Sequence, residues 1–217
     1  MKRLITLSFL TVLFLFSCKK ERLTANGDSI SETRNPGVFT KVNMSGSNNV
    51  HIAYGATYQV ELRGSSNLIP YFKTNIVNGR LYLSYEDANV RQDDVQVFIT
   101  MPILNGVRLS GSAKINITGN FPKMDFLDFD ISGSGDMEVN DSFEAQEVSI
   151  NISGSDSVKA EKVRSNEADV TISGSGDVRI GAEQKLKAVI SGSGKIYYTG
   201  SAIVDSRISG SGRIIKL

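Results

Sequence analysis

Ile131-Ser132-Gly133-Ser134-Gly135-Asp136 and Ile172-Ser173-Gly174-Ser175-Gly176-Asp177 are the same six residues written twice. Their core, Ser-Gly-Ser, recurs with its glycine at Gly46, Gly111, Gly133, Gly154, Gly174, Gly192 and Gly210. The last six glycines are spaced 22, 21, 20, 18 and 18 residues apart. Apolar residues keep one register around them, at positions −4 and −2 before the glycine and +4 and +6 after it, usually with −6 as well. For Gly133 these are Leu127, Phe129, Ile131, Met137 and Val139; for Gly174 they are Ala168, Val170, Ile172, Val178 and Ile180. Self-similarity at such a period marks a stacked repeat array.

Period-two alternation on both sides of a fixed turn means two short strands per repeat, each with one face buried. Fully burying a Val, Leu, Ile or Phe gains roughly 1.5 to 3 kcal/mol, while ordering a residue costs about 1 to 2 kcal/mol. Five such side chains therefore do not hold one repeat of this length on their own, and the repeats must stack. The expected fold is all-β: a β-solenoid, parallel β-helix-like, of 18- to 22-residue Ser-Gly-Ser coils over residues 106–217. A solenoid corner needs positive φ or close approach to the next coil, and either favours glycine. Residues 37–105 read as a less regular N-terminal β region. Gly64 keeps part of the register, with Tyr58, Val60 and Leu62 before it and Leu68 after, and Asn78-Gly79 between apolar runs is a strong hairpin signal. Degenerate coils, antiparallel hairpins or both fit that region.

Residues 1–17 read as a secretory signal peptide: Lys2 and Arg3, then apolar Leu4 to Phe16, then Ser17 before Cys18. The apolar run is shorter than the about 20 residues of a transmembrane helix. Cys18 is the only cysteine, so it has no disulfide partner within the chain, and a lone exported thiol would be a reactive liability. The stretch resembles a bacterial lipobox, which makes Cys18 the expected lipid attachment residue and the membrane, through that anchor, the expected partner. Residues 18–36 are polar, carry Asn26-Gly27-Asp28 and Asn35-Pro36-Gly37, and predict a flexible tether. Without residues 1–17, 22 cationic side chains face 23 acidic ones, a balance of −1. No basic stripe rises above it, so no nucleic-acid partner is expected.

Residues with chemical potential are few. His51 is the only histidine, which excludes a His-based triad or a multi-histidine metal site, and the alternation with Val50 and Ile52 turns it outward. Three residues after each repeat glycine stand Asn49, Lys114, Asp136, Ser157, Asp177, Lys195 and Arg213. Cations in that column argue against a calcium ladder at Asp136 and Asp177. Asp125, Asp128 and Asp130 are the acidic cluster to test for a glycan-cleaving pair; Asp128 and Asp130 should share the outer face of a strand whose inner face is Leu127, Phe129 and Ile131. Trp is absent, which weakens a sugar-stacking platform. The expectation is no catalytic, metal or cofactor-binding residues and no cofactor.

Thr100-Met101-Pro102-Ile103-Leu104 leading into Val107-Arg108-Leu109-Ser110-Gly111-Ser112, with the two Ile-Ser-Gly-Ser-Gly-Asp repeats, resembles the head-GIN domain family of auto-transporter adhesins over about residues 38–217. The resemblance implies a β-helix-like fold, no catalytic residues, and a cell-envelope lipoprotein of Bacteroidota type, a domain of unknown function. The expected role is a non-enzymatic adhesin or interaction scaffold on the outer membrane, facing periplasm or cell surface, with a glycan or envelope protein as ligand. The alternatives are a glycan-active β-helix enzyme and a small-ligand or lipid-binding envelope protein. Arg213-Ile214-Ile215-Lys216-Leu217 follows the last Ser-Gly-Ser with no polar cap, which predicts burial of that end, by a homo-oligomer in preference to an internal cap.

Overall fold

The computed structural model describes residues 21–86 and 88–217; the expected signal peptide, residues 1–17, and Cys18 lie outside them. The Ser-Gly-Ser glycines stack into one column. Gly46 lies in register with Gly111, Gly111 with Gly133, and so on through Gly154, Gly174, Gly192 and Gly210, with every pairing parallel. One face of the solenoid holds strands Lys41–Gly46, Gly106–Gly111, Met124–Gly133 and Phe143–Gly154, then residues 163–174 and 185–192, and last Ile203–Gly210. The other face holds Val50–Tyr54, Lys114–Thr118, Asp136–Val139, residues 157–160 and 177–181, Lys195–Thr199 and Arg213–Lys216.

Both reasons for glycine at the corner are met. The column glycines have φ between 119° and 141°. A Cβ on any of those from Gly111 to Gly210 would fall 2.2–2.4 Å from the carbonyl oxygen of the glycine one coil below. That oxygen accepts the N–H of the serine after the next glycine, at 2.9–3.2 Å from Ser112 to Ser211. Close approach is thus what closes the inter-coil ladder at the corner. Between the faces the alternating residues form the core: Met44, Leu109, Ile131, Ile152, Ile172 and Ile190 run in one buried column, Val50, Ile115, Met137, Val158, Val178 and Ile196 in another.

The N-terminal region combines coils and hairpins. Residues 41–54 form a coil of the solenoid, stacked directly on residues 106–118, so the ladder runs across the boundary expected at 105/106. The chain then leaves the stack and covers its end. Arg80–Tyr85 adds in parallel to Lys41–Gly46 and Gln96–Met101 to Val50–Tyr54, while Phe72–Val77 and Gln59–Ser65 add antiparallel beyond them. The Asn78-Gly79 turn has φ of 50° and 70°, as a tight hairpin loop requires.

The expected tether needs correction. Glu21–Thr24 pairs in parallel with Ala88–Arg91, and Ser29–Arg34 runs antiparallel to Gln59–Ser65. This second strand lacks an apolar period because it lies at the edge of the sheet and is mostly exposed. Backbone pairing and one side chain hold it: Arg34 donates to the carbonyls of Ile69 (3.0 Å) and Phe72.

Candidate functional site

Outside the core, the columns of the first face are mostly polar, interrupted at Phe126, Val189 and Ile203. A serine ladder runs through Ser110, Ser132, Ser153, Ser173 and Ser191. Beside it Asp130 is clamped by Arg108, with Nη2 at 2.6 Å and Nε at 2.8 Å from the same oxygen. Asp128 shares that outer face, opposite buried Leu127, Phe129 and Ile131. Burial pushes its carboxyl above the usual carboxylate range and Asp130 adds to the rise, while Lys41, Arg108 and Arg80 pull the other way without cancelling it. An acid with raised pKa beside a second carboxyl is the composition of a glycosidase pair, but these two stand side by side on one strand. Bond cleavage between two carboxylates needs them to flank the scissile bond, and neither of these lines the pocket beside them.

Concavity lies next to the pair. Where the loop 102–105 and residues 122–126 meet the start of strand Lys41–Gly46, a pocket of about 440 Å³ opens, within the ordinary range for small-molecule sites of about 300–1,000 Å³. Ile103, Pro122, Met124 and Phe126 supply apolar wall, and Lys41, Lys123 and Asp125 supply charge. Lys123 is 3.8 Å from Glu144. Ile103 and Phe126 are 44% and 40% exposed. Gly106 stands in register between Lys41 and Asp128, so no side chain separates the pocket's lysine from the carboxyl on the flat face.

Phe126 is exposed because the strand turns a second corner there. Met124 and Leu127 point inward, leaving Asp125 and Phe126 both outward. The next coils repeat the turn with polar residues in the position of Phe126, Glu147 and then Glu167. Of the three aspartates singled out in the sequence, the structure puts Asp125 in the pocket and Asp128 and Asp130 on the adjoining flat face. Phe126 and Ile103 were missed. The available signal was an apolar residue adjacent to the inward Leu127 and therefore out of period.

His51 faces outward, half-buried, stacked on Phe98 with centroids 4.7 Å apart, and Arg63 covers the Phe98 ring at 4.2 Å. Burial lowers its pKa and Arg63 lowers it further. Asp177 accepts the backbone N–H of Lys195 at 3.1 Å, and Asp136 is paired in register with Lys114 and Ser157. Among the described residues no three His, Cys, Asp or Glu side chains gather around one point. A smaller polar hollow near Asn48 has its carboxylates already engaged: Asp93 accepts from Asn48 and Tyr85, Asp94 from Ser65.

Asp156 is the departure from the repeat. Two residues after the column glycine the other coils from Gly111 onward carry Ala113, Gly135, Gly176, Gly194 and Gly212, while the Gly46 coil carries Asn48, and a Cβ at Gly176 would lie 2.7 Å from the Asp156 carbonyl. Asp156 is 1% exposed; Oδ1 accepts the Gly135 N–H at 2.7 Å, and Oδ2 has no partner among the described residues. Burial raises its pKa, the hydrogen bonds from the corner backbone lower it less, and the net shift is upward. A carboxyl whose pKa is higher folded than unfolded contributes most stability when protonated, and loses that contribution as pH rises past its unfolded value of about 3.9. Asp156→Asn keeps an acceptor for Gly135. Its denaturant midpoint should exceed the wild type's by more at pH 7 than at pH 4; equal differences at both would show the carboxylate to be satisfied.

A stack of parallel coils with mostly polar outer columns and an amphipathic pocket at its junction defines a β-solenoid. Residues 38–202 match the family described as "Putative auto-transporter adhesin, head GIN domain", and the chain belongs to it. No curated protein matches the chain. Among solved structures it is similar to a putative adhesin from Bacteroides fragilis (TM-score 0.75, 20% identity, 90% of this chain and 100% of that one). It is similar also to a putative adhesin from Parabacteroides distasonis (0.66, 21%, 91% and 100%) and to a putative lipid binding protein from the same species (0.58, 20%, 91% and 100%). At these identities the likeness is one of fold. Among the described residues no helix is long and apolar enough to cross a membrane.

Proposed function

We propose that the protein is a cell-envelope adhesin, a non-enzymatic scaffold held to the outer membrane through acylated Cys18, which binds a glycan or an envelope protein and leaves it chemically unchanged. The observation that carries this reading is the outer face of the solenoid: mostly polar columns on a parallel ladder, with Asp128 and Asp130 side by side on its flat surface. Family membership and the adhesin neighbours support it. A second reading, capture of a small amphipathic anion, rests on Ile103 and Phe126 exposed beside Lys41 and Lys123 in the junction pocket.

The two readings separate in one experiment. The purified protein is tested against glycan and envelope-protein arrays and against a long-chain fatty acid, as wild type and as Phe126→Ser with Lys41→Glu. The scaffold reading expects saturable binding to an array member that tolerates the pocket variant; fatty-acid binding lost in that variant, with empty arrays, replaces it by the carrier reading. Anchoring is tested by fractionation, where the wild type should partition with membranes and Cys18→Ser should not. Equal partitioning would remove the lipoprotein claim.

A further inference from the structure

The two ends of the stack are finished differently. At the N-terminal end the hairpins cover the coil 41–54, whose Val42, Met44, Val50 and Ile52 have no exposure. At the other end, among the described residues, strand Ile203–Gly210 pairs along one edge only, with residues 185–192, and Arg213–Lys216 along one edge only, with residues 195–198. Inward positions are open there: Ile208 is 42% exposed, and Val204 and Ile214 are partly buried. A free row of backbone donors and acceptors over open apolar side chains is a template for strand pairing.

The outer strand's own sequence states what fits it. Val204, Ser206 and Ile208 continue the inward columns, and Asp205 and Arg207 lie on the outer face, in register with Lys187 and Val189. In an antiparallel pair, residues directly opposite point to the same face, so a two-fold axis must pass through a residue. An axis at Asp205 opposes two aspartates, and one at Arg207 opposes two arginines. An axis at Ser206 sets Asp205 against the second copy's Arg207 twice over, Val204 against the second copy's Ile208 twice over, and the small Ser206 against itself. Arg207 has no ion pair or hydrogen bond within the chain among the described residues, and the Lys187 amine beside Asp205 is already 2.7 Å from Asp169.

We infer that strand Ile203–Gly210 pairs antiparallel with the same strand of a second copy of this chain, about a two-fold axis at Ser206, closing the open end of the solenoid into an isologous dimer. Such symmetry is the commonest route to a closed oligomer. It sets the two N-terminal ends at opposite extremes of the dimer, the geometry that joins two surfaces; that consequence rests on the adhesin reading, whereas the pairing itself does not.

Sedimentation of the full chain in mild detergent, with the detergent contribution matched out, tests the pairing apart from any adhesion. The wild type should be a dimer at tens of micromolar. Arg207→Asp, which faces each Asp205 with another carboxylate, should raise the dimer Kd by about tenfold or more. The exchange Asp205→Arg with Arg207→Asp should restore it, which no folding defect would do. Ser206→Cys should cross-link to itself under mild oxidation, beyond the background from Cys18, whereas Val204→Cys should not. A wild-type monomer, a dimer indifferent to Arg207→Asp, a charge exchange that fails to rescue, or equal cross-linking at 204 and 206 each overturns the inference.

Discussion

Gly154→Val will collapse the middle of the stack, with a loss of more than about 3 kcal/mol, while Ser157→Val three residues on will stay within about 0.5 kcal/mol, as surface changes do. Two penalties coincide at Gly154. Its φ of 141° lies in territory that L side chains rarely adopt, and a Cβ there would sit 2.2 Å from the Gly133 carbonyl oxygen and 3.0 Å from Asp156 Oδ2. The oxygen cannot retreat freely, because it accepts the Ser155 N–H at 3.2 Å. Any shift of the coil that relieves the clash therefore lengthens the ladder at the corner. Ser157 is half-exposed on the outer face and starts a strand in ordinary register, where a β-branched residue fits well. Denaturant midpoints compare the two directly; the reverse order would contradict the corner geometry.

Arg34→Ala comes next in size, with an expected loss of about 3 kcal/mol. The guanidinium is only 21% exposed and reaches across the sheet edge to the Ile69 and Phe72 carbonyls, which close the short 3-10 turn Ile69–Tyr71 beneath buried Leu68 and Phe72. Hydrogen bonds to a charged group contribute about 1.5–3 kcal/mol each, and their removal leaves carbonyls short of a donor. Lys73→Ala is the control. Its ion pair with Glu86 is long, at 3.3 Å, and exposed, and such pairs contribute roughly 0–1 kcal/mol. If Arg34→Ala is no worse than Lys73→Ala in thermal or urea unfolding, residues 29–34 behave as the tether that their composition suggests.

That segment shows where sequence reading stops. Alternation of buried and exposed residues announces strands with one wet and one dry face, so Leu127-Phe129-Ile131 and its counterparts are legible along the chain. Ser29–Arg34 has little dry face to announce it. What holds it is a ladder to residues 60–65 and a side chain bonded to residues 35 and 38 positions away, and pairing at that separation leaves no local period. The same holds for residues 55–105: Asn78-Gly79 declares its hairpin through turn chemistry, but nothing near Arg80–Tyr85 or Gln96–Met101 says that both add to the coil 41–54. Gly46 did carry the signal that this coil joins the column of Gly111, because corner geometry demands the same residue wherever it recurs.

The candidate site was less legible than the fold. Asp128 and Asp130 stood out by type, and the structure shows them on a flat ladder. Phe126 beside Leu127, and Asp156 among the small residues that fill its column from Ala113 to Gly212, stood out only once inward and outward positions were assigned coil by coil. Both are departures from the repeat, and in a repeat protein departures locate individuality.

Whether the proposed scaffold binds without catalysing is decided by mass analysis of whichever array glycan the purified protein retains, after prolonged incubation at stoichiometric concentration. The glycan should be recovered at its original mass, with Asp128→Asn and Asp130→Asn indistinguishable from wild type. Shortened or unsaturated products that disappear in Asp128→Asn would contradict it and make the acid pair on the flat face a catalytic one.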